Sequence, residues 1–230
     1  MNKRTMIVSM SAIAGAVVLL GASCSANTDV VGKVAASSFK AAAEASGGRV
    51  AFDEASGAWT LASSAGDRFL LSADLASAAP DAAFVLDAAP FLAAGLDPAK
   101  LAGPAGVSFS VADGLLTVAF DLGTGAATGE SRSSLSGAFD AFLAARRELV
   151  GYHQALDHYG IKLGGGNMFE WAKDLAKNDK DLVWVLDPAP FVAAGADPAK
   201  IEGWVFAAVE MMEDGKKVSA EKLLKPFDLR

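Results

Sequence analysis

The chain has 230 residues, 52% of them hydrophobic, with 27 acidic against 20 basic side chains and a formal net charge of −7. An anionic body of this kind excludes attraction to nucleic-acid phosphates or to anionic lipid as the basis of binding. One cysteine, Cys24, excludes an internal disulfide, and no stretch after the N-terminus has eighteen unbroken apolar residues, as a spanning helix would need.

Lys3 and Arg4 precede an apolar run over about 6–22, then small residues, then Cys24. This order predicts a signal peptide over 1–23. The stretch "LLGASC" resembles the lipobox of bacterial lipoproteins, with Gly21 standing where that family usually carries Leu and Leu20 one place further back. The resemblance implies cleavage before Cys24, acylation of Cys24, and a mature protein held on the inner or outer membrane of the cell envelope. Two or more acyl chains, at about 0.8 kcal/mol per buried methylene, anchor a protein without any spanning helix. Loss of Lys3 and Arg4 leaves 18 basic and 27 acidic residues, a mature charge of −9.

A short tether over 24–28 then leads into a helix expected over 30–45, followed by strands in "RVAFDEASGAWTL" (49–61) and "DRFLLSAD" (67–74). Next comes "VLDAAPFLAAGLDPAK" at 85–100, which recurs as "VLDPAPFVAAGADPAK" at 185–200. Sliding 66–103 over 166–203 without a gap gives identity at 20 of 38 positions. In each copy an aspartate (Asp87, Asp187) caps a short helix, a proline (Pro90, Pro190) sits in its first turn and a glycine (Gly95, Gly195) ends it. Asp97-Pro98 and Asp197-Pro198 then open a second turn. After the first copy, "VSFSVADGLLTVAFDL" alternates about Asp113-Gly114 and predicts a hairpin. A Gly/Ser/Thr-rich linker over 124–131 precedes a helix expected from 134 to about 158. Two extended runs about Asp214-Gly215 close the chain.

The fold class that follows is α+β: a tandem duplication of helix, antiparallel strands, short helix pair and hairpin, with halves at 29–123 and 132–230. Each half is expected to cover its own sheet with its own apolar corner.

The chemistry-bearing patterns reduce to structural ones. "GTGAATG" at 123–129 lacks the G-x-G-x-x-G spacing and follows a hairpin strand instead of opening a parallel βαβ unit. Ser37-x-x-Lys40 has none of the accompanying lactamase-type motifs. His153 and His158, five apart on the expected helix, would diverge by about 140°, so no metal site is expected. No nucleophile and base, no metal ligands and no cofactor loop emerge, so an enzyme is not expected.

What remains is the apolar character of "APFLAAGL" and "APFVAAGA". A helix without a polar face is buried in protein or meets lipid, which makes Phe91, Leu92, Phe191 and Val192 the candidate apolar contacts for a lipid-like ligand or a membrane. On "LLGASC" with "PFLAAG" and "PFVAAG", the chain resembles spirochaetal lipoproteins associated with the outer membrane. The expectation is a non-enzymatic, lipid-anchored envelope protein without cofactor, metal or nucleic-acid partner. Its partners are the membrane through acylated Cys24 and either a lipid-like ligand or another envelope protein.

Overall fold

A computed structural model describes residues 25–76, 80–123, 129–153, 156–177, 180–213 and 216–229. The predicted signal peptide, Cys24 and most of the linker lie outside the described residues. The protein is α+β, with two six-stranded antiparallel sheets.

The first half carries α1 (Ser25–Ala45), β1 (Val50–Asp53), β2 (Ala58–Ala62), β3 (Arg68–Ser72), β4 (Ala82–Asp87), α2 (Ala89–Ala93), β5 (Val107–Ala112) and β6 (Leu115–Phe120). The second carries α3 (Leu135–Arg146), β7 (Val150–His153), β8 (His158–Gly164), β9 (Asn167–Ala172), β10 (Leu182–Leu186), α4 (Ala189–Ala193), β11 (Val205–Glu213) and β12 (Lys216–Phe227). The sheets have one topology, β1-β2-β3-β4-β6-β5 and β7-β8-β9-β10-β12-β11. Residue n corresponds to residue n + 100 through the short helices, and Phe120 to Phe227 at the end, because β11 and β12 form the longer hairpin.

Side-chain alternation explains why the sheets face each other. In the first, Leu61, Phe69, Leu71, Phe84, Leu86, Leu116, Val118 and Phe120 share one face through the strand register, and all are buried. In the second, Ile161, Phe169, Trp171, Leu182, Trp184, Leu186, Leu223 and Phe227 do the same. Both sets belong to a single core, and burying each such side chain contributes about 1.5–3 kcal/mol.

Corresponding residues meet one another, as they must near a twofold axis. Phe39 stacks on Phe139 with ring centroids 4.1 Å apart, Phe69 on Phe169 at 4.1 Å, Phe84 on Trp184 at 5.3 Å, and Phe91 packs on Phe191 at 5.1 Å. Each aromatic pair adds about 0.5–1.5 kcal/mol beyond its area. The row begins at the α1–α3 pair, crosses β3/β9 and β4/β10, and ends at α2 and α4 beside the edge strands β5 and β11.

One expectation is corrected here: neither half covers its own sheet. α1 packs on β7 and β9 of the second sheet, and α3 on β2 and β3 of the first. Trp171 donates its Nε1–H to Ser38 Oγ (2.9 Å) across the halves, and Trp59 donates to Ser131 O (2.8 Å) at the end of the linker. The corners are exchanged as well, since Phe91 packs on Trp204 and Phe191 on Phe109. A helix contacting its own twin across the axis is free to bury its apolar stripe on the opposite sheet, and hydrophobic periodicity does not distinguish the two sheets. The helix expected to run to 158 ends instead at Arg146, and 150–161 forms the β7–β8 hairpin.

Buried carboxylates clasp the end of each half. Asp81 Oδ2 accepts the Leu122 N–H (2.7 Å), and Asp181 Oδ2 that of Leu229 (2.6 Å). Burial pushes the Asp81 carboxyl above its ordinary value despite that hydrogen bond.

Candidate functional site

The duplicated corner forms as its residues dictate. Asp87 Oδ1 accepts the Ala89 N–H (2.9 Å) and Asp187 Oδ1 that of Ala189 (3.0 Å), while Asp97 and Asp197 each accept from Ala99 or Ala199 at 3.1 Å. Asp97 and Asp197 are the N-caps of the second turns, as expected, whereas Asp87 and Asp187 stand one residue before the N-caps Ala88 and Pro188 and each closes a turn by accepting an N–H two residues on. A hydrogen bond from Lys100 lowers the Asp97 carboxyl below its ordinary value, with the Ala99 N–H adding to it, and Lys200 does the same for Asp197.

The two corners interlock through backbone. Asp97 N–H donates to Ala194 O (2.8 Å) and Asp197 N–H to Ala94 O (2.9 Å), a reciprocal pair about the axis. Gly95 and Gly195 make this approach possible: their φ angles are +101° and +97°, and a Cβ on either would stand 3.0 or 3.2 Å from the other's carbonyl oxygen. Gly95→Ala is expected to lower the unfolding free energy by about 1–2 kcal/mol from the left-handed backbone alone, and more from the crowding. Urea denaturation checks this, and a variant as stable as the parent would contradict it.

The four predicted apolar contacts divide into two pairs. Phe91 and Phe191 are fully buried and so stand away from the surface: a ring at the foot of each short helix turns inward to meet its twin. Leu92 is 43% exposed and Val192 50% exposed. Leu115, paired with Asp87 at the foot of α2, is also exposed. The corner therefore has an aromatic floor and an aliphatic outer surface.

Where the halves differ, polar chemistry appears. His153 and His158 lie opposite each other across the β7–β8 hairpin and point to the outer face of the sheet. There they meet Glu170 of β9, a residue that sequence reasoning missed. His153 Nδ1 stands 3.3 and 3.4 Å from the two Glu170 oxygens, His158 Nδ1 stands 3.7 Å from Oε2, and His158 Nε2 lies 2.9 Å from Lys180 O. All three side chains are buried. Burial pushes the Glu170 carboxyl up, but the hydrogen bonds and charges of the two histidines outweigh it and hold it below its ordinary value.

A second difference joins the halves. Lys225 occupies an inner-face position that corresponds to Val118, and its ammonium pairs with the buried carboxylate of Asp67. It also lies over the rings of Trp204 (5.4 Å) and Phe227 (6.0 Å). Asn167 is the counterpart of Asp67. Asp67 Oδ1 accepts the Asp87 N–H (3.0 Å), and Asn167 Oδ1 accepts that of Asp187 (2.9 Å).

Among the described residues no group of three or more His, Cys, Asp or Glu is placed to hold a metal ion, and no helix is long and apolar enough to cross a membrane. Comparison with protein-family models, with curated proteins and with solved structures gave no match.

Proposed function

We propose that this is a lipid-anchored, non-enzymatic cell-envelope protein, tethered through acylated Cys24, whose twin corners present an aliphatic surface to a lipid-like ligand or a membrane. The observation that carries the reading is the paired exposure of Leu92 and Val192. Among the described residues the exposed large apolar side chains are Val30, Val34, Leu92, Leu115 and Val192, and of these Leu92 and Val192 occupy the same position in the two copies of the corner. Phe91 and Phe191 beneath them, locked to each other, fix the surface without contacting a ligand. The signal-peptide pattern and the "LLGASC" stretch supply the envelope location.

Flotation of the Cys24→Ser protein with liposomes tests the surface apart from the anchor. Co-flotation is expected, and Leu92→Asp with Val192→Asp is expected to abolish it while circular dichroism stays unchanged. Unchanged flotation of the double variant would remove the corner from the reading. Native mass spectrometry of the mature protein would reveal a co-purifying lipid.

A second reading, an assembly module for another envelope protein, is favoured by one feature. α1, which begins at Ser25 and so takes up residues 25–28 expected as a tether, sits at one end of the row of twin contacts, and the corner sits at the other. A surface opposite the anchor points away from the leaflet that holds it. Cross-linking from positions 92 and 192 to an envelope protein, without liposome flotation, would select this reading.

A further inference from the structure

Features common to both halves serve the architecture, because each sheet forms with them. The buried His153–Glu170–His158 cluster is confined to the second sheet. Its corresponding positions in the first are Asp53, Ala58 and Leu70, and the β1–β2–β3 register forms without any such cluster. Its geometry is that of a fastening. His153 belongs to β7 and His158 to β8, facing each other at the turn, so one carboxylate from β9 holds His153 of the edge strand by hydrogen bonds and faces His158 Nδ1 at 3.7 Å. β7 is a four-residue edge strand that pairs with β8 alone among the described strands, with α1 packed on its inner side. The Lys180 carbonyl can only accept, so the interaction fixes a proton on His158 Nε2 and turns Nδ1 toward Glu170.

The surrounding charges are engaged elsewhere. Asp157 accepts from Tyr152 Oη and lies 3.5 Å from Lys173, the Lys180 ammonium is 3.0 Å from Asp228, Asp181 holds the Leu229 N–H, and Lys162 lies further along β8 opposite Met168. The negative charge shared by the two imidazoles is that of Glu170.

We propose that His153, Glu170 and His158 form an acid-sensitive latch, which fastens the β7–β8 hairpin to β9 at neutral pH and releases β7, baring the edge of β8, when acid protonates Glu170. Protonation removes the negative charge of the cluster, and with it the charge-assisted character of the contacts between Glu170 and His153. The direction follows from Glu170. Its carboxyl is held below the ordinary value of 4.5 in the folded protein, so the stabilisation is complete above that value and is lost as the pH falls through the lowered one. A bared strand edge is a template for pairing with another chain.

Site-resolved amide hydrogen exchange on the intact protein, corrected for the intrinsic effect of pH, tests the latch, with the β1–β2 hairpin as an internal control. As the pH is lowered stepwise from 7 to the onset of global unfolding, protection in β7 and β8 is expected to fall at least tenfold more than in β1 and β2. Glu170→Gln is expected to show the low protection already at pH 7. Replacing the cluster by His153→Thr, His158→Ala and Glu170→Leu is expected to abolish the difference between the hairpins. An equal response of both hairpins in the parent protein would overturn the proposal, as would wild-type protection at pH 7 in Glu170→Gln. Should that variant not fold, a triple variant that keeps the parent's selective acid response would overturn it as well.

Discussion

Expressed without the rest of the chain, residues 25–123 are expected to give no folded monomer, only unfolded chain or a homodimer in which a second copy rebuilds the missing half. The fragment contains every strand of the first sheet, yet the helix that covers β2 and β3 is α3, which belongs to the other half. Its own helix, α1, would find neither β7 and β9 nor the twin helix it stacks on through Phe39 and Phe139. Phe69, Phe84 and Phe91, all fully buried in the intact chain, would face water on the side where Phe169, Trp184 and Phe191 stand. Uncovering this one shared core removes more than the roughly 5–15 kcal/mol that separates a folded domain from its unfolded state. Circular dichroism with sedimentation equilibrium measures the outcome, and mixing with a fragment from 129 onward is expected to restore a stoichiometric heterodimer. A monomeric 25–123 fragment with a cooperative unfolding transition would show that the exchanged helices are dispensable.

Much of this architecture was legible in the residues. Identity at a fixed spacing of 100 forces two copies of one topology, and the Asp, Pro and Gly positions of 85–100 and 185–200 specify the capped corners that form. The alternation about Asp113-Gly114 gives the β5–β6 hairpin, with Asp113 and Gly114 both at positive φ as a tight turn requires. The exchange of helices was not legible, because an apolar stripe carries no address. The β7–β8 hairpin was hidden by local composition: "AFLAARRELVGYHQALDH" continues a helical period past Arg146. The repeat contained the correction, since 149–161 is the counterpart of 49–61, where alternation marks strands. Once those strands are drawn, His153 and His158 lie opposite each other instead of 140° apart. Glu170 was silent for a different reason: its counterpart is Leu70, so nothing repeated pointed to it.

The same comparison of twins yields a sharper energetic prediction. Lys225→Val places at the inner face the residue that the first half carries at Val118, and it is nevertheless expected to cost about 3–5 kcal/mol, because Asp67 is left buried without its partner. Asp67→Asn is expected to cost less, about 1–2 kcal/mol. Asparagine still accepts the Asp87 N–H, as Asn167 does from Asp187, and the Lys225 ammonium keeps a route toward water and the faces of Trp204 and Phe227. With both substitutions, the pair takes the chemistry of its counterpart, Asn with Val, and stability is expected to return to within about 1 kcal/mol of the parent, since a buried ion pair is often no better than a well-packed apolar replacement. Urea denaturation of the four proteins gives the coupling energy directly. If the double variant lost the sum of the single losses, the coupling energy would be zero, and each residue would contribute to stability independently of the other. A recovery means that Asp67 and Lys225 diverged together at little energetic cost, with each charge tolerated only because the other half supplies its partner.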